Sequence, residues 1–157
     1  MPRRMARGDP AARPTSRAGP PESAGMMLEF MLDTDTVSWA LRGQGGVPVR
    51  VLEHRPSQLR ISSITLAELR FGADAKASRK LHSLIDTFIL SVTVLPFDQA
   101  AVNRFGPVAS ALARRGEPIG TFDTLIAAHA LSCDLTLVTN NTKHFRRVAG
   151  LKTATWA

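Results

Sequence analysis

The chain has one cysteine in 157 residues, Cys133, so no internal disulfide can form and a reducing cytoplasm is the simplest setting. It has no apolar stretch approaching the ~20 residues of a membrane span. It lacks a CxxC or HxxxH pair for zinc and a glycine-rich loop for a nucleotide. No internal repeat is visible. Arg3-Arg4 has the look of a twin-arginine signal, but only the short Met26–Met31 patch follows, and it holds Glu29. An export signal is therefore not expected.

What is present is 44% hydrophobic, enough for one domain with a core. The formal net charge is +7, of which residues 1–25 carry +3, leaving +4 on the body. Residues 1–25 are rich in Pro, Ala, Arg and Gly and nearly free of large apolar side chains. Such a segment cannot bury enough surface to offset its ordering entropy and reads as a disordered basic extension. It is either the product of an upstream start, with Met26 or Met27 the working one, or an RNA-attracting arm. Residues 26–157 form the folded domain. A basic body suits a polyanionic partner.

From Leu28 short apolar runs alternate with helical stretches. Strands are expected at Leu28–Leu32, Leu59–Ile61, Ser91–Leu95, Leu135–Thr139 and Leu151–Ala154. Helices are expected at Thr36–Leu41, Val47–His54, Lys80–Leu90, Asp98–Arg115 and Thr121–Cys133. Another runs from a Ser62 or Ser63 cap to about Phe71. This alternation predicts an α/β fold with a parallel sheet and helices on both faces. Ligands of such sheets gather at the carboxyl ends of strands, where Asp33 and Asn140-Asn141 fall.

Three acids stand beside apolar runs, where an unpaired carboxylate is costly: Asp33, Glu68 and Asp123. Each has a bland reading. Asp33 is a candidate N-cap, although Asp35 could fill that role. Glu68 is a candidate surface partner of Arg70. Asp123 sits in a first helical turn, where the dipole favours negative charge, but Thr121 is better placed to cap. Together they suggest a cleft that holds a cation. Hydrolysis of a phosphodiester needs charge neutralisation and an activated nucleophile. Mg²⁺ or Mn²⁺ supplies both and prefers carboxylate and water oxygens.

Arg114, Arg115, Lys143, Arg146 and Arg147 are candidates to steer an RNA backbone, or simply a solvated cluster. Cys133 is expected to pack in the core. His129, six residues past Asp123, lies on a different helix face and reads as a core or surface residue. His54 and His82 read as surface residues. His144 reads as solvated, with RNA contact the alternative.

The segments FMLDTDTVSW, ISSITLAELRFGA and GEPIGTFDTLIAAHALSCDLTLVTNNTKHFRRVAGLKTATW resemble PIN-domain ribonucleases of the VapC type, from about Met27 to Trp156. The resemblance implies a three-layer sandwich around a parallel sheet, usually dimeric. It implies a Mg²⁺-dependent endoribonuclease that cuts structured RNA, often tRNA, and slows translation. It also implies a VapB-like antitoxin whose tail occupies the cleft. Carried over by motif, Asp33 and Asp123 are metal ligands and Glu68 completes the acidic site. Asn141 takes the place of a fourth acid, which puts a second metal in doubt. Asp35 stands where the family commonly has Asn. The TNNT segment resembles toxins that cut initiator tRNA.

Two other readings stay open. Asp33-Thr34-Asp35-Thr36-Val37 matches the nucleophile loop of haloacid-dehalogenase-like phosphatases. That fold needs a later acid pair, and Asn140 and Asn141 stand there instead. The missing fourth acid also permits a catalytically inactive, RNA-binding PIN-like domain.

Overall fold

The computed structural model describes residues 29–157. The expectations for residues 1–25, and for the start of the first strand at Leu28, lie outside the described residues. Strand β1 (Phe30–Leu32) is buried throughout. It pairs in parallel with β2 (Leu59–Ser62) on one side and β4 (Thr136–Val138) on the other, Phe30 facing both Leu59 and Thr136. Beyond them lie β3 (Thr93–Leu95) and β5 (Thr153–Ala154), giving the order β3-β2-β1-β4-β5, all parallel.

A parallel sheet is covered on both faces, and alternate residues of each strand serve opposite layers. Phe30 and Leu32 join Leu59, Ile61 and Val138 in one apolar layer. Helices α1 (Thr34–Leu41), α2 (Val47–Leu52), α3 (Ser63–Ala75) and α4 (Arg79–Phe88) cover it. Met31 and Leu137 enter the opposite layer, under α5 (Gln99–Arg114), α6 (Thr121–Ser132) and α7 (Thr142–Phe145). This is the expected three-layer α/β sandwich.

Several boundaries differ from expectation for local reasons. The Ser91 N–H donates to Phe88 O, and the Leu135 N–H to Ala130 O, so both residues close a preceding helix before their strand begins. Helix α3 continues through Gly72 to Ala75, because Ala73 is fully buried against the core and holds the extra turn in place. Helix α7 was not expected: four residues are too few for a periodic pattern. Cys133 is exposed at the end of α6, not packed in the core. His54 is not a free surface residue; its ring stacks on Trp156 at 5.1 Å and meets Phe30 edge-on. His82 is likewise held, its Nε2 2.7 Å from Asp74 and its Nδ1 3.0 Å from Arg70.

Candidate active site

The strand order reverses at β1, whose neighbours β2 and β4 lead to opposite edges of the sheet. A crevice opens at such a switch point, beyond the carboxyl ends of the strands. Asp33 follows β1 there and is only 4% exposed. Its Oδ1 accepts from the Thr36 N–H at 2.8 Å, so Asp33 itself caps α1 and Asp35 does not.

Glu68 is brought to the same crevice by α3. This helix starts at the Ser62 cap, whose Oγ accepts from the Ile64 N–H at 3.1 Å. The Thr34 hydroxyl donates to Glu68 Oε1 at 2.6 Å. Arg70 does not pair with Glu68; it reaches Asp86 at 2.5 Å. Ser62 also meets the buried ring of His129, Oγ to Nδ1 at 2.7 Å, which joins the start of α3 to α6. His129 is therefore a core histidine.

Asp123 lies in the first turn of α6, where the helix dipole favours its charge. The N-cap position is Gly120, with φ of 94°, and no side chain caps the helix; Thr121 is its first residue. Sequence reasoning missed the partner of Asp123. His144 on α7 is not solvated: its Nε2 lies 3.1 Å from Asp123 Oδ2 and 2.7 Å from Ile119 O. Residue spacing gave no signal for this pair, because 21 residues and a whole strand separate them. Asn141, expected beside the acids, is exposed and caps α7 by accepting from the His144 N–H at 3.3 Å. Asn140 Nδ2 lies 3.4 Å from Asp35.

Burial pushes all three carboxyls up from their ordinary values. Hydrogen bonds oppose this: from Thr139 and Thr36 at Asp33, from Thr34 at Glu68, and from His144, with its charge, at Asp123. The neighbouring charges of Asp33 and Asp123 push Glu68 further up, and Asp35 does the same to Asp33 and Asp123. Carboxylates that disfavour one another's ionisation, in a partly desolvated crevice, are a donor set suited to a hard divalent cation. Asn140 Oδ1, buried and without a hydrogen-bond partner, adds a neutral oxygen nearby. Among the described residues, no three His, Cys, Asp or Glu side chains already stand grouped closely enough to hold a metal ion. The donor chemistry fits; a closed ligand cage is not preformed.

The basic candidates divide. Arg115 donates to Arg147 O, and Arg147 donates to Pro118 O at 3.3 Å, so both stand beside the loop that His144 also grips. With Arg104 they line a hollow of about 200 Å³. Arg114 folds back on Ser110 of its own helix. Lys143 and Arg146 are exposed on and just after α7.

Residues 30–151 match the model of the PIN domain family. The chain is 39% identical over 135 residues to the tRNA(fMet)-specific endonuclease VapC of Shigella flexneri, spanning 83% of this chain and 100% of that protein. It is 37% identical to the protein of the same name from Salmonella typhimurium, over 83% of this chain and 99% of that one. The structure of DNA-bound VapBC from Salmonella typhimurium superposes with a TM-score of 0.78, at 37% identity, covering 83% of this chain and all of its counterpart. VapBC2 from Rickettsia felis, bound to a promoter DNA fragment, gives 0.72 at 30% identity, with 83% of this chain and 100% of that chain covered. The chain therefore belongs to the PIN-domain family, among its VapC-type toxin members. Among the described residues, no helix is long and apolar enough to cross a membrane.

Proposed function

We propose that this protein is a Mg²⁺-dependent endoribonuclease, the toxin of a toxin–antitoxin pair, which cleaves tRNA, initiator tRNA first, and so inhibits translation. The observation that carries this reading is the gathering of Asp33, Glu68 and Asp123 from three separate segments at the switch point of a parallel sheet. Its support on the substrate side is the likeness to proteins named for tRNA(fMet) cleavage.

In this reading Asp33, Glu68 and Asp123 hold the ion, for which Mn²⁺ is a substitute. Such an ion supplies charge neutralisation at the scissile phosphate and acidifies water. Thr34 holds Glu68, and the N-terminus of α1 holds Asp33. Arg115, Arg147 and Lys143 attract the RNA backbone electrostatically. Arg114 and Arg146 serve only the wider basic field. Asn141 caps α7 through its Oδ1 and stands in place of a fourth acid.

A VapB-like antitoxin is the proposed protein partner, as the VapBC likeness suggests. Its tail would lie in the groove of about 170 Å³ that runs from Thr34 and Glu68 past Leu69 and Leu81. A homodimer and a cytoplasmic location complete the proposal.

The test is cleavage of a total tRNA pool with Mg²⁺ and with EDTA, beside Asp123→Ala. Discrete cuts that need both Mg²⁺ and Asp123 are expected. Cuts that persist in EDTA or in Asp123→Ala would end the metal mechanism. Absence of cutting in every arm would favour the inactive RNA-binding domain.

A further inference from the structure

We infer that His144 is a positioning residue which fixes the orientation of Asp123 for cation binding by donating one hydrogen bond to it; this rests on the metal-dependent reading above. His144 Nε2 stands between two oxygens, Ile119 O at 2.7 Å and Asp123 Oδ2 at 3.1 Å. A backbone carbonyl cannot donate, so Nε2 must carry the hydrogen whatever the ring's charge. The same N–H then points to both acceptors. It occupies Oδ2 of Asp123 and leaves Oδ1 without a hydrogen-bond partner among the described residues.

The ring is built into place. Its side chain is 22% exposed. Asn141 caps the turn that carries it, and Phe145, the next residue, is 1% exposed and anchors α7 in the core. Helix α6 has no side-chain cap of its own, and its Gly120 N-cap is a flexible residue type. The Ile119–His144 contact immobilises the chain just before that N-terminus. His144 thereby orients the carboxylate and holds the loop from which α6 starts. Asn141, at the position of the family's fourth acid, contributes through His144. Partners that orient a metal-binding side chain typically change metal affinity by 10–100-fold when removed.

The experiment measures Mn²⁺ affinity directly, by following free Mn²⁺ with electron paramagnetic resonance during titration of the full chain. Wild type, His144→Ala and His144→Gln are compared, with the melting temperature of each as a folding control. A Gln amide places an N–H near the site of Nε2 and carries no charge. The expected result is a loss of about 10-fold or more in Mn²⁺ affinity for His144→Ala. His144→Gln should stay within about threefold of wild type, well inside that loss. Equal affinity in wild type and His144→Ala would overturn the inference and leave the nuclease reading intact. Equal losses in both variants would also overturn it, since the donated hydrogen would then not be the cause. Failure of the wild-type chain itself to bind Mn²⁺ would remove the metal-dependent reading, and the inference with it.

Discussion

The hydroxyl of Thr34 lies 2.6 Å from Glu68 Oε1, so the residue directly after Asp33 positions the second acid of the cleft. A hydroxyl has one hydrogen. Thr34 gives it to Glu68 over the shorter distance, with the Thr65 hydroxyl a second, weaker acceptor at 3.3 Å. The first turns of α1 and α3 are linked through these side chains. Thr34→Val removes the donor at nearly constant volume. Burial already raises the Glu68 pKa, and the Thr34 bond lowers it, so its loss raises it further. RNA cleavage by Thr34→Val should fall by about tenfold, the order of one lost hydrogen bond to a charged group. The acidic limb of its pH–rate profile should move to higher pH; an unmoved limb would refute the coupling.

Asp33 has two separable roles, capping and the proposed ligation. Asn caps as well as Asp, whereas Ala does not. Asp33→Asn and Asp33→Ala should both abolish cleavage. Only Asp33→Ala should also lose about 1 kcal/mol of stability in urea unfolding. Equal stabilities would show that the Thr36 bond contributes nothing to the fold.

The acids should strain the metal-free protein at neutral pH. Each has a folded pKa above its ordinary value, 3.8 for Asp and 4.5 for Glu. Above the ordinary value the folded state retains more protons than the unfolded state. Stability therefore falls as pH rises from that value through the raised one. Asp123→Asn and Glu68→Gln should both raise the melting temperature of metal-free protein at pH 7, Glu68→Gln by more, because the Asp123 side chain is 39% exposed and solvent screens its penalty. The gain should shrink as pH falls toward 4. A lower melting temperature for both variants would contradict the assignment of mutual repulsion.

His129 should act in the opposite direction. Burial lowers its pKa from 6.5, against a smaller opposing effect of Asp98. The unfolded chain then binds the extra proton first, so stability is lost as pH falls below 6.5 toward the lowered value. His129→Gln should cost stability at pH 7.5, on the order of 1 kcal/mol for the disturbed Ser62 bond. It should also flatten the decline between pH 7.5 and 5.5. Chemical denaturation at the two pH values measures both, and a decline as steep as wild type would exclude His129 as its source.

Arg147 lies beside the loop gripped by His144, and its charge is proposed to attract RNA. Arg147→Ala should weaken binding of a non-cleaved RNA and reduce the salt slope of log affinity by roughly 0.7–0.9, the contribution of one phosphate contact. An unchanged slope would assign Arg147 to the fold alone.

The sequence by itself determined the layer plan and the acids. Apolar runs at Phe30–Leu32 and Leu135–Val138, split by helical stretches, allow little except a parallel sheet with two covered faces. Carboxylates at the ends of such runs mark the crevice because burying them elsewhere would be too costly. Tertiary structure decided the partners. His144 meets Asp123, and His129 meets Ser62 across 67 residues, only because α6 and α7 share one face of the sheet and α3 starts beside them. Periodicity reports which side of its own element a residue occupies, and it carries no information about the element packed opposite. For that reason the acids were legible in the chain, while the histidine that orients one of them became visible only in the fold.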